Sequence, residues 1–186
     1  VTSAAYARWA SDRRGRIDAL LAAYDGGAGA AEQLRWSLVL LLAAEFQGYA
    51  RDLHDEVAGA LLRGVDPVLH TVIWQVLVTP RLLDRANAGS TTLHTDFDRL
   101  GVQLAAGIRA RFPQGAAWLT ALDRLIAARN AVAHSDPAGL RRATDGTGLH
   151  LGLIGHWYGA LVPLARAMDS LTAATLANPT PQEAPS

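Results

Sequence analysis

The sequence predicts an all-α fold, a bundle of four to five main helices with a long second helix, and three observations predict it. Apolar residues recur at three- and four-residue spacing along most of the chain, no segment reads as a strand, and residues 30–62 run as one helical pattern without a proline. At 186 residues and 50% hydrophobic, the chain can bury one substantial core. A single helical domain over 1–176 followed by a disordered, Pro-rich tail at 177–186 is the expectation.

The elements follow in order. Tyr6, Trp9, Ile17, Leu20, Leu21 and Tyr24 sit at helical spacings among Arg and Asp, which predicts an amphipathic helix over 2–24. The stretch DGGAGA at 25–30 ends it as a linker; it lacks the Lys-Ser/Thr of a phosphate loop, and no strand precedes it. The long helix then carries Leu34, Leu38, Leu41, Leu42, Phe46, Tyr49, Leu53, Val57 and Leu61, and would be about 50 Å long at a rise of about 1.5 Å per residue. Asp66-Pro67 reads as an N-cap followed by proline at the first helical position, opening a helix over 67–78.

Pro80, Gly89 and the Ser90-Thr91-Thr92 cluster predict a long connection over 79–95 with one helical turn at most, and then a helix over 96–112 that Pro113 breaks. Trp118, Leu119, Leu122, Leu125, Ile126 and Val132 mark the next helix, which Asp136-Pro137 stops. Residues 136–148 read as a polar loop. A last helix is predicted over 150–176, where Gly152, Gly155 and Gly159 suggest a close helix contact.

Composition narrows the function. Basic and acidic residues balance at 17 each, so net charge argues neither for nor against nucleic acid. All 17 basic residues are Arg. That bias has two readings, codon usage in a GC-rich genome or a preference for the planar fork that suits phosphate. With no Cys there is no disulfide framework, zinc ribbon or thiol nucleophile. The longest apolar run, 37–44, is far short of the roughly 20 residues a spanning helix needs, and the amino terminus is charged where a signal peptide would be apolar. A soluble, cytoplasmic protein is expected, with no membrane association.

The chemistry concentrates in LIAARNAVAHSDP, 125–137, where an apolar helix about to stop carries Arg129, Asn130 and His134. Histidine moves protons near neutral pH, and arginine holds a phosphate while charge builds on its oxygens. Together they suit phosphodiester cleavage in RNA, whose 2′-hydroxyl is a built-in nucleophile, so that neither metal nor cofactor is needed. At about 100° per residue, Asn130 and His134 lie roughly 40° apart around the helix, but Arg129 and His134 roughly 140° apart. A two-fold dimer facing two such helices would bring Arg and His together in one cleft. The competing reading is an ordinary helix end with a solvated Arg and a His at the negative pole of the dipole.

RNAVAH, Arg129 to His134, resembles the Arg-polar-x-x-x-His signature of HEPN domains, in its RNxxAH version. LVLLLAAEFQGYARDLHDE, 38–56, is similar to the long second helix of the RiboL-PSP-HEPN or MAE-type HEPN group. The resemblance implies an all-α domain that forms a homodimer and, in many members, a metal-independent endoribonuclease of toxin–antitoxin or other defence systems. RNA and an antitoxin or operon protein would be its partners. It also implies Arg129 and His134 as the catalytic pair, with Asn130 orienting them. Ser135 stands where many relatives have Gly, and no Tyr lies two residues beyond His134, so the subgroup defined by that Tyr is not matched. Such domains can also lose activity, which leaves a non-catalytic dimerisation or RNA- or nucleotide-binding scaffold in a defence or regulatory system as the alternative. A third possibility is a helical protein whose apolar helices bind a protein partner.

Supporting roles have two readings each. Glu45, Tyr49 and Asp52 share one face of the long helix, where Glu45 or Asp52 could hold Arg129 or tune His134; alternatively Asp52 pairs with another Arg while Tyr49 packs. His150 and His156 are poorly spaced for a metal, and His54 and His70 stand alone. Arg141 and Arg142 would add phosphate contacts or simply be solvated.

Overall fold

The computed structural model describes residues 2–24 and 31–177, and every regular element in them is helical. The predicted linker at 25–30 and the tail from 178 onward lie outside the described residues. The first predicted helix is one rod with an irregularity: α1 (Ala4–Arg8), a π-helical turn (Trp9–Arg13) and α2 (Arg14–Tyr24). Ser3 caps it, its hydroxyl accepting the Tyr6 N–H at 3.0 Å, and the Glu56 carboxylate accepts the amides of Ala4 and Ala5.

The long helix is α3 (Ala31–Leu62), 32 residues. Leu38, Leu42, Phe46, Tyr49, Leu53 and Val57 form its buried stripe. Trp9 meets Phe46 edge-on at 5.8 Å and Tyr49 at 5.6 Å, and the Tyr49 hydroxyl donates to the Ala165 carbonyl at 2.7 Å, so this aromatic group ties three elements together. Asp66 caps α4 (Pro67–Leu77) by accepting the Val68 N–H, as its sequence predicts.

The next region departs from expectation. In place of a long connection and one helix over 96–112, the chain makes a 3₁₀ turn (Leu82–Asp84), α5 (Ser90–Asp98) and α6 (Leu104–Arg111). Ser90 starts a helix because Asp123 accepts both its amide and its hydroxyl, at 2.7 and 2.6 Å. Asp96 is buried inside α5, and its carboxylate accepts the amides of Leu82 and Leu83 at 2.8 Å each. Gly101, at φ 75°, makes the reversal that separates α5 from α6.

α7 (Gly115–Ala133) carries the Arg-Asn-x-x-x-His stretch. The predicted polar loop after it contains a further helix, α8 (Pro137–Ala143), capped by Asp136, which accepts the Gly139 N–H at 2.9 Å. α9 (Leu151–Ala177) runs unbroken through Pro163. The close contact expected at its glycines is absent: a Cβ at Gly155 or Gly159 would meet nothing, and one at Gly152 only the His150 ring. The close approaches are elsewhere, at Gly107 under Leu171 of α9 and at Gly115 against the Ile108 backbone. α3 packs on α7, α9 and the amino-terminal rod, and α7 packs on α8 and α9, enclosing one apolar cluster. Among the described residues no helix is long and apolar enough to cross a membrane.

Candidate functional site

The carboxyl end of α7 explains how the motif is presented. His134 is the C-cap, its N–H bonding the Asn130 carbonyl at 3.0 Å; Ser135 N–H bonds Val132 O at 3.2 Å, and Asp136 N–H bonds Ala131 O at 2.8 Å. This is a Schellman closure, which places the residue after the cap in the left-handed region. Ser135 has φ 51° there. The turn swings α8 back beside α7, and an open groove of about 520 Å³ lies between them.

One stripe of α7, Thr120, Asp123, Arg124, Ala127, Asn130 and His134, forms one wall, and Asp136, Gly139 and Arg142 of the α8 region face it. His134 is exposed, at the end of the groove. Arg124 pairs with Asp145, and Arg142 lies 3.7 Å from Asp136, so the two guanidiniums sit at the rim in exposed pairs worth little to stability. The Asp136 carboxyl is held below its usual range, first by the Gly139 amide and also by Arg142 and Arg141.

Asn130 is the hub of the site. Its Oδ1 accepts from Arg129 Nη1 at 3.2 Å and from Asn87 Nδ2 at 2.7 Å. Two donors on that oxygen fix the amide's orientation. Its Nδ2 donates to no described group, which leaves two N–H bonds for a ligand. Arg129 is half-buried, and among the described residues no carboxylate lies within 4 Å of its guanidinium. As their angular positions on α7 require, Asn130 and His134 share the groove, while Arg129 is not part of its wall.

The structure does not bring the proposed supporting carboxylates to this site within the chain. Glu45 is almost buried and bonds Arg13 Nη1 at 3.0 Å and both Arg16 Nε and Nη2, at 2.5 and 2.8 Å. These guanidiniums, Arg16 foremost, hold the Glu45 carboxyl below its usual range. Asp52 accepts from Arg13 Nη2 at 2.9 Å and from Arg8 Nε at 3.3 Å. Tyr49 packs in the core. Both carboxylates therefore fasten the amino-terminal rod to α3, and neither contacts Arg129 or His134. Ser135 supports the site through its backbone, at the turn.

Asn87 is the site residue that sequence reasoning missed. It lies in an irregular segment with no local pattern to mark it, 43 residues from its partner. Arg142 is on α8 rather than in a loop. Among the described residues no group of three His, Asp or Glu side chains is arranged to hold a metal. No family model matches the chain, and no curated protein and no solved structure matches it.

Proposed function

We propose that the chain is a HEPN-like, metal-independent endoribonuclease acting through Arg129, Asn130 and His134. The observation that carries the reading is the arrangement at the end of α7: His134 and Asn130 share one open groove, and beside them stands Arg129, with no described carboxylate to neutralise it. A guanidinium next to a groove and short of a counter-ion is ready for a phosphate. In the reaction, the ribose 2′-oxygen bonds to phosphorus as the bond to the 5′-oxygen breaks. His134 relays the proton, and Arg129 with the Asn130 Nδ2 group stabilises the charge on the phosphoryl oxygens. The products are a 2′,3′-cyclic phosphate end and a free 5′-hydroxyl.

Because Arg129 and His134 diverge around α7, the complete site in this reading is composite, with Arg from one protomer and His from the other in a two-fold dimer. That same divergence is what favours the second reading, a non-catalytic scaffold that binds RNA or a nucleotide. A toxin–antitoxin or defence role, with an antitoxin as partner, belongs to the proposal and rests on the resemblance alone. The test is RNA cleavage in EDTA by the purified protein beside His134→Ala and Arg129→Ala variants shown to remain folded. Cleavage lost in both variants supports the enzyme, and the product ends check the mechanism. No cleavage by any of them across several RNA classes leaves the scaffold.

A further inference from the structure

Among the described elements, α4 (Pro67–Leu77) is the one whose composition and placement disagree. Its sequence, PVLHTVIWQVL, is among the most apolar in the chain, yet it buries no residue. His70, Ile73 and Leu77, spaced i, i+3 and i+7, are half-buried on the inner side. The opposite side is a ridge of Val68, Val72 and Val76, 82%, 61% and 64% exposed, flanked by Leu69 at 50%. We infer that this ridge is a self-association surface, on which α4 of a second copy packs across a two-fold axis near Val72.

Three observations select a second copy as the occupant. The first is charge. No Asp, Glu, Lys or Arg occurs from Pro67 through Pro80, and the flanking charges are engaged within the chain: Asp66 caps α4, and Arg81 pairs with Asp55 and Asp84. His70 Nε2 is bonded to the Val65 carbonyl at 2.9 Å, so the titratable group on α4 is turned back to its own chain. A two-fold contact sets a residue at the axis against its own copy, which penalises a charge there; this face carries none. The same neutrality disfavours a membrane surface, where an interfacial helix needs a basic rim.

The second is shape. Residues four apart form the ridge that interdigitates with an identical ridge in the commonest class of helix packing. Valines pack there with little loss of rotamer freedom. The third is area. The ridge and Leu69 present roughly 400 Å² of apolar surface per copy, within the size of patch that marks an interaction site. Two copies, with Thr71 and Gln75 as a polar edge, reach the roughly 1,000 Å² that a specific interface needs. The inference stands apart from the cleavage reading: the composite site needs a two-fold contact at the end of α7, whereas this contact is at α4, so a dimer that survives Val72→Glu would belong to the former and not to this surface.

The experiment is sedimentation equilibrium of the full chain against Val72→Glu, with far-UV circular dichroism confirming the helix content of each. The wild type is expected to dimerise, and Val72→Glu to weaken the dimer at least about 30-fold, as for a charge placed at the centre of an interface. Position 68 of one copy faces 76 of the other, so Val68→Lys with Val76→Glu in the same chain should retain a dimer that Val68→Glu with Val76→Glu loses. The chain has no Cys, so Val72→Cys should form a covalent dimer on mild oxidation, whereas Ala110→Cys on α6 should not. A monomeric wild type, a dimer untouched by Val72→Glu, or equal crosslinking at both positions would each overturn the assignment. Binding of a monomer to lipid vesicles would overturn it too.

Discussion

His54 offers a sharp test of how this core is built. The residue has no exposed surface, its ring meets Phe97 edge-on at 5.5 Å, and neither ring nitrogen has a hydrogen-bond partner. Burial first, and Arg81 second, push its pKa from 6.5 down to about 4, against Asp96 and Asp84, which raise it. The folded state therefore keeps His54 neutral while the unfolded chain takes up a proton as pH falls below about 6.5. The stability contributed is present above that pH and is lost as pH falls toward 4. From those two pKa values, acidification from pH 7 to pH 5 costs about 2 kcal/mol. His54→Leu removes the titration and two unpaired nitrogens, worth about 1–3 kcal/mol when buried, and forfeits the ring contact, worth about 0.5–1.5 kcal/mol. The variant should match or exceed the wild type at pH 7, and its advantage should grow by about 2 kcal/mol at pH 5. Urea unfolding followed by circular dichroism at both pH values measures this. Equal losses in the two proteins between pH 7 and pH 5 would refute the reasoning.

Three other outcomes follow from single positions. Ser135→Gly should stabilise by about 0.5–1 kcal/mol, because the turn requires a left-handed residue, and Ser135→Val should destabilise by more than that; thermal unfolding compares them. Gly48→Ala should reverse the usual sign of that change in a helix: Ala gains about 1 kcal/mol over Gly in a free helix interior, but here its methyl strikes the Arg13 guanidinium held between Glu45 and Asp52, and a net loss of about 2 kcal/mol in urea unfolding is expected. Under the proposed ribonuclease reading, Asn87→Ala should lower RNA cleavage about tenfold with an unchanged fold, since it frees the Asn130 amide to rotate; cleavage at the wild-type rate would remove Asn87 from the site.

The clearest elements of the sequence are present: α3 has its stripe where the spacing put it, and Asp66-Pro67 opens α4. The misread stretches share a cause. Ser90, Thr91 and Thr92 carry turn chemistry, but Asp123 of α7 satisfies Ser90 and lets a helix start. Asp96 has the look of a helix start, yet it serves amides fourteen and thirteen residues earlier. Asp136-Pro137 was legible in one direction only. The dipeptide that stops α7 also caps α8, as Asp66-Pro67 caps α4, and a stop signal and a start signal are the same two residues seen from opposite sides.

The site divides along the same line. Asn130 and His134 on one face follow from helical geometry alone, and so does the divergence of Arg129. What a sequence does not display is which cation answers which carboxylate. Glu45 and Asp52 lie on one face of α3 in the sequence and in the structure, but the guanidinium between them is that of Arg13, from the π-helical turn, passing over the bare backbone of Gly48. With those carboxylates engaged, no described acid reaches Arg129, whose bonded neighbour is the neutral Asn130. A chain with as many acids as arginines thus leaves the Arg129 guanidinium without a described carboxylate at the end of α7. It does so by how it pairs charges elsewhere, and pairing across helices is a property of the fold that no local pattern records.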